Sequence, residues 1–486
     1  MKKNSVPVVA ATIIFAVAAA AIFLIQNSAA RRAAERAVPE TEKTFDVNFR
    51  ADDGRATSSR AIVQFIAENT RPRLEFHSDF SKEDFAAWQK KVKREVEKIV
   101  FPTALAAAVP VKNSDAAAHG GLTDLRAAEA AEAENSAVPA NDATQTLSAE
   151  KSFFENGFFA AAEHASKLVF EEQRDGFRIQ KRECFPLPGA AVPFFVLIPD
   201  GVSEAAPAPA VLCIPGAGQP KEWLAGEGKF AAADRNDFAR KFAQAGFVAV
   251  AVDNPCIGEA ADTPNARVGI VDYDDTSRLL LELGWTYQGF AAVIDKTVLD
   301  ELKTLPFVRR DRVAVAGFSL GTETLMLLGA LDDELFAFVY NDFLCTTRER
   351  ALAMTVPAAD GRRRFPNSIR HLFPAFYSTF DFPDLVSALA PRPVFCNEGG
   401  LDRDFRKVRA AYALAGVPDN ARCEHQPKFS APESRNVDLE RVPKGLSLAE
   451  FFRFANVDPA NHYFKAESAI PWLQAQIQAA DARARQ

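Results

Sequence analysis

Histidine and cysteine are both scarce in this chain, at six each in 486 residues. The cysteines form no Cys-x-x-Cys pair, which excludes a structural zinc site of that kind, and six in so long a chain give no disulfide framework. Cys184, Cys213, Cys396 and Cys423 fall within predicted strands, where cysteine behaves as a small buried hydrophobe. A basic excess is also missing. Lys and Arg total 57 against 64 Asp and Glu, a net charge of -7, so nothing here is built to neutralise a nucleic acid. No cofactor and no metal is expected.

Long apolar runs are missing too, with one exception. Lys2 and Lys3 precede an uncharged, mainly apolar stretch from Val6 to Ile25, about 30 Å long if helical and close to the thickness of a bilayer core. Residues 1–30 therefore read as a signal anchor, or as a signal peptide cleaved near Ser28-Ala29-Ala30. Either implies export, with attachment to the membrane through this segment in the first case.

What is present divides the rest of the chain. Residues 31–102 form an amino-terminal extension containing one clear helix. Ser81 is placed to cap it, acidic residues follow in its first turn, and Phe85, Trp88, Val92 and Val96 share one face that should pack on the main domain. Residues 103–150 are rich in Ala, Glu, Asp, Asn and Ser without sustained periodicity, as in a linker or insertion. From 151 to 486, short apolar strands alternate with helical stretches. Phe177 to Phe185 and Val192 to Ile198 suggest a leading hairpin. Buried strands follow near residues 210–214, 247–252, 312–316, 336–340, 393–397 and 421–425, with a helix from Lys465 to about Ile477. Continuous apolar strands separated by helices mean a mostly parallel sheet of about eight strands, covered on both faces, with its chemistry at the carboxyl ends of the strands.

The stretch Val313-Ala-Val-Ala-Gly317-Phe318-Ser319-Leu320-Gly321 reads as strand, sharp turn and helix, with a serine at the turn. Chance supplies about 0.05 such Gly-x-Ser-x-Gly matches in a chain of this composition, so context has to carry the motif. A serine nucleophile needs a base and an acid to orient it. Among the six histidines, His462 lies in a loop just before the last helix, where it can reach over the sheet edge; His425, read as part of the last strand, is the reserve. For the acid, Asp402 follows a predicted strand in Asn397-Glu398-Gly-Gly-Leu-Asp402, with Glu398 and then Asp342 as alternatives. The order Ser319, Asp402, His462 is that of α/β hydrolases. The oxyanion would rest on the Leu320 amide and on one from the turn Pro215-Gly216-Ala217-Gly218, with Ala217 expected as the donor.

Residues from about 170 to 480 resemble the α/β hydrolase fold, and more narrowly its acetyl-xylan-esterase-like and dienelactone-hydrolase-like branch. The resemblance is carried by Ile214-Pro-Gly-Ala-Gly-Gln-Pro-Lys-Glu-Trp223, Leu305-Pro-Phe-Val-Arg-Arg-Asp-Arg312, Tyr340-Asn-Asp-Phe-Leu-Cys-Thr-Thr-Arg348 and Phe382-Pro-Asp-Leu-Val-Ser-Ala-Leu-Ala-Pro-Arg-Pro393. It implies a serine esterase acting on acylated or lactone substrates, often carbohydrates. Two departures stand out. Pro215 occupies the place of the usual histidine of a His-Gly pair, and about 30 residues, Lys428 to Val457, separate the last strand from the loop of His462. Leu320 argues against a glucuronoyl esterase, where an arginine would follow the nucleophile. A prolyl-oligopeptidase-like peptidase and a catalytically inactive scaffold are the competing expectations. The arginine- and phenylalanine-rich segment from Asp360 to Asp384 is placed to cap the site.

Overall fold

The computed structural model describes residues 63, 66–101, 163–187, 190–232, 235–261, 273–354 and 368–485. The expected anchor at 1–30, most of the amino-terminal extension before its helix, the stretch 103–150 and the arginines Arg362, Arg363 and Arg364 lie outside these residues. Among the described residues, no helix is long and apolar enough to cross a membrane.

Among the described residues, nine strands form one sheet: β1 (Glu163–Arg174), β2 (Phe177–Leu187), β3 (Ala190–Pro199), β4 (Ala208–Ile214), β5 (Val248–Val252), β6 (Val308–Phe318), β7 (Ala337–Asn341), β8 (Val394–Cys396) and β9 (Ala421–Cys423). Their spatial order is β1-β2-β3-β5-β4-β6-β7-β8-β9. The expected hairpin is present, and β1 adds a third antiparallel strand that the sequence reading missed. From β5 onward every pairing is parallel.

The parallel strands are apolar throughout because both their faces are covered. In β6, Val313 and Val315 join one buried cluster while Ala314, Ala316 and Phe318 join the other. The principal helices are α1 (Lys82–Val100), α2 (Phe238–Gln244), α3 (Tyr273–Glu282), α4 (Tyr287–Thr304), α5 (Gly321–Leu331), α6 (Thr347–Ala353), α7 (Phe382–Ala388), α8 (Asp402–Leu414), α9 (Leu448–Phe454) and α10 (Ala466–Ala484). Helix α5 is buried from Gly321 to Ala330, the mark of a helix enclosed on all sides.

Part of its cover is α1. Ser81 and Asp84 form a capping box at the start of this helix, and Phe85, Trp88, Val92, Val96 and Val100 are buried in the same cluster as Leu325 and Leu328 of α5. Gln89 Nε2 adds hydrogen bonds to the carbonyls of Ala388 and Ala390, at 3.0 and 2.5 Å. The amino-terminal helix thus belongs to the core of the main fold. All six cysteines are free and buried.

Candidate active site

The turn after β6 carries Ser319 with a positive φ of 50°, a conformation that costs energy in any residue but glycine. One distant and one local hydrogen-bonding partner hold it there. The Ser319 N–H donates to the carbonyl of Asn341, at the end of β7, at 3.0 Å, and the Ser319 carbonyl accepts from the Thr322 N–H and hydroxyl at 2.9 and 2.7 Å. The flanking glycines are required by space. A Cβ on Gly317 would lie 2.5 Å from the Gly321 carbonyl oxygen, and one on Gly321 would lie 2.4 Å from that of Ile214.

Leu320 is buried immediately after Ser319, ahead of α5. An amide at the start of a helix has no intrahelical acceptor, so its N–H is free to face developing negative charge. Opposite stands the turn after β4. Gly216 N–H donates to Gln219 Oε1 at 3.2 Å and Gly218 N–H to the Tyr273 hydroxyl at 3.1 Å, while Asn254 Nδ2 donates to the Pro215 carbonyl at 2.9 Å. These bonds tie the turn on both sides of Ala217. Ala217 itself is exposed and is not part of the wall of the cavity that holds Ser319.

His462 follows a short 3-10 turn, Pro459–Asn461. Its ring lies 4.8 Å from that of Phe318, and its Nδ1 is 2.7 Å from Oε1 of Glu398. Asn341 Nδ2 donates to the other oxygen of Glu398 at 2.7 Å, and Asn341 Oδ1 accepts from the Lys465 N–H at 2.7 Å. Asn341 therefore links the Ser319 turn, the acid and the start of α10. Gln426 binds the loop from the other side, reaching the carbonyls of Asp458 and Asn461 at 3.2 and 3.4 Å.

The expected acid, Asp402, is not the partner of His462. It lies at the start of α8, where its carboxylate accepts from Arg435 Nε at 2.9 Å and stands 3.3 Å from His425 Nε2. Its place is taken by Glu398, which leaves the end of β8 directly and points inward, whereas Asp402 sits one turn further on and faces the 430s loop. His425 is corrected as well. Strand β9 ends at Cys423, and His425 beyond it packs on the Phe405 ring at 4.9 Å, paired with Asp402.

Burial disfavours protonation of His462, but the hydrogen bond and charge of Glu398, with Asp342 adding to them, outweigh it and hold the imidazole above its ordinary value. Burial pushes the Glu398 carboxyl up to about 7, with His462 pulling the other way. Burial also raises Asp342, which follows β7 and faces the same ring. One ligating atom from each of Asp342, Glu398 and His462 lies within 4.8 Å of the others. Within this group, Glu398 and His462 are joined by their hydrogen bond.

Ser319, Leu320, Asp342 and His462 share a cavity of about 270 Å³. The cap reaches it through His371 and Phe382, whereas Phe373, Phe376 and Phe380 are buried in the main core. His371 forms a second histidine–carboxylate pair in the same cavity, its Nδ1 2.6 Å from Oε1 of Glu323 on the first turn of α5. Sequence reading missed this pair. Its one local signal is a carboxylate four residues after the serine.

Residues 39–120 and 157–475 match the profile of the Abhydrolase family. A solved structure from Bacteroides fragilis NCTC 9343, described as a candidate acetyl xylan esterase, is 43% identical; the alignment covers 87% of this chain and 96% of that one, with a TM-score of 0.71. A glucuronoyl esterase from Solibacter usitatus is 15% identical over 52% of this chain and 74% of its own, with a TM-score of 0.38. No curated protein sequence matches the chain.

Proposed function

The chain belongs to the Abhydrolase family, and from that premise we propose that it is a serine carboxylesterase working through Ser319, His462 and Glu398. The observation that carries this reading is the Ser319 turn opening into one cavity with a histidine whose Nδ1 is held by a buried carboxylate.

In this mechanism Nε2 of His462, the ring nitrogen not engaged by Glu398, takes the Ser319 hydroxyl proton as Oγ attacks the ester carbonyl. Glu398 fixes the tautomer and ring orientation and stabilises the imidazolium that forms. The Leu320 amide stabilises the oxyanion; Ala217, outside the cavity wall, is the remaining candidate for the second donor because the Gly216 and Gly218 amides beside it are taken. His462 then returns the proton to the leaving alcohol, leaving an acyl-enzyme. A water activated by the same histidine releases the acid. Asp342 adds negative charge beside the ring.

The Bacteroides fragilis relative, described as a candidate acetyl xylan esterase, supports an acylated carbohydrate as substrate. Residues 151–486, together with the helix at Lys82–Val100, form the catalytic unit of this reading. Export through residues 1–30 belongs to it as well, and fractionation of cells making the chain with and without those residues tests that part. For the chemistry, the measurement is hydrolysis of a short-chain aryl acetate together with fluorophosphonate labelling. Both should disappear in Ser319→Ala, and equal rates in wild type and variant would overturn the proposal.

A further inference from the structure

Arg350 lies on α6, the helix that leaves the end of β7 beside the site, and lines the same cavity as Ser319 and His462. Its guanidinium sits over the Phe343 ring, 5.4 Å from the centroid, which fixes it as a flat platform at the cavity wall. Its Nε is buried and has no hydrogen-bond partner. No ion pair joins Arg350 to any carboxylate among the described residues. It is the only lysine or arginine among the described residues of that wall.

A guanidinium is charged at every physiological pH and carries five donors, so a buried one without an acceptor needs an explanation. The carboxylates around it each have a partner of their own, although Oε2 of Glu323 is left without one. Glu349, the preceding residue, is held by Arg403 and accepts from the Val442 N–H at 2.7 Å. Asp381 accepts from the Thr347 and Arg348 amides at 2.8 and 3.1 Å. Glu323 is paired with His371 and Glu398 with His462. Asp342 accepts from the Phe343 N–H at 2.8 Å; it makes no ion pair with Arg350, whose charge acts on its carboxyl from a distance. Arg350 thus lines the cavity where the ester must bind with a buried, unpartnered Nε and without an ion-pair partner among the described residues.

We infer that the substrate carries a carboxylate, and that Arg350 recognises it. The inference rests on the esterase reading of Ser319. The guanidinium fork matches a carboxylate in two parallel hydrogen bonds, and such a charged pair in a partly enclosed site selects strongly against a neutral analogue. The class is therefore an ester of an acidic molecule, with the carboxylate on the acyl part, as in a dicarboxylic half-ester, or on the alcohol part, as in an acylated sugar acid.

Two matched pairs of substrates separate these sources. One is mono(para-nitrophenyl) succinate against para-nitrophenyl pentanoate; the other is an O-acetylated methyl glycoside of a uronic acid against its neutral hexose counterpart. The wild type should prefer the acidic member of one pair by about tenfold or more in kcat/KM, chiefly through KM. Arg350→Gln should abolish the preference and Arg350→Lys should keep part of it. Because each comparison is a ratio within one preparation, loss of folded protein does not imitate the effect. Equal rates for both members of both pairs, with cleavage still dependent on Ser319, would overturn the inference and leave the esterase reading standing. Hydrolysis no faster than in Ser319→Ala for every substrate would overturn both.

Discussion

Nδ1 of His462 stands 2.7 Å from Oε1 of Glu398, with the carboxylate 1% exposed and the imidazole 39% exposed. One edge of the ring is anchored in the protein interior and one face packs near Phe318, while part of the ring remains exposed. That asymmetry suits a base which must keep one orientation while exchanging a proton with a substrate. Asp402, four residues further along the chain, makes a different pair altogether with Arg435 and His425.

Exchanging the two carboxylates one at a time distinguishes their roles. Glu398→Gln should lower kcat on an aryl acetate by about 100-fold or more, since an amide cannot hold the ring tautomer or offset the imidazolium charge. Asp402→Asn should change kcat by less than about threefold, while lowering thermal stability through loss of its charged hydrogen bonds to Arg435. A larger fall in kcat for Asp402→Asn than for Glu398→Gln would reverse the assignment.

The pH profile carries a defined sign. His462 is held above its ordinary 6.5, and only its neutral form accepts the serine proton, so the acidic limb of kcat/KM should lie above pH 6.5. Glu398→Gln should move that limb downward, because it removes the hydrogen bond and charge that favour the imidazolium. Stability follows the same linkage: a histidine raised in the folded state contributes fully below 6.5 and loses the contribution as pH rises through the folded value. Rate profiles and melting curves between pH 5 and 9 check both, and an acidic limb below 6.5 in the wild type would contradict the expected shift.

Gly321→Ala should cost about 3 kcal/mol or more, because its Cβ would meet backbone rather than a side chain able to move aside. The nearest obstacle is the Ile214 carbonyl oxygen at 2.4 Å. Denaturant unfolding measures the loss. Gly416→Ala is no match for it sterically, since a Cβ there meets nothing within 4 Å, although its φ of +79° leaves backbone strain as a common term.

Lys221 is fully buried, with Nζ 2.9 Å from Asp253 and 3.0 Å from Glu222. Asp253 also accepts from the Lys221 N–H at 2.7 Å. Lys221→Met should destabilise the fold by about 3–5 kcal/mol, because it strands a buried carboxylate. The double variant Lys221→Met/Asp253→Asn should recover part of that loss. Absence of any recovery in denaturant unfolding would show that the pair is not coupled as its geometry implies.

Much of the fold was legible locally. Runs such as Val248 to Val252 and Val313 to Phe318 are apolar without alternation, which requires a sheet covered on both faces, and these strands are buried as expected. The Gly-x-Ser-x-Gly turn is readable from five residues, although the space that requires Gly321 is set by Ile214 in another strand. The placement of His462 before the last helix was readable in the same way. β1 escaped notice because Glu163 to Arg174 is largely polar and pairs on one edge only.

By itself, then, the sequence determined a parallel sheet, a strained serine at the end of β6 and a histidine on a late loop, because each leaves a pattern readable in a short stretch of residues. Only the tertiary structure decided which carboxylate serves that histidine. Glu398 and His462 are 64 residues apart, and their meeting depends on Asn341 and Gln426 holding two loops from separate strands. The His371 to Glu323 pair and the unmatched Arg350 belong to the same class. A carboxylate at a strand end looks the same in sequence whether it faces inward or one turn aside, and the packing of distant segments resolves which way it points.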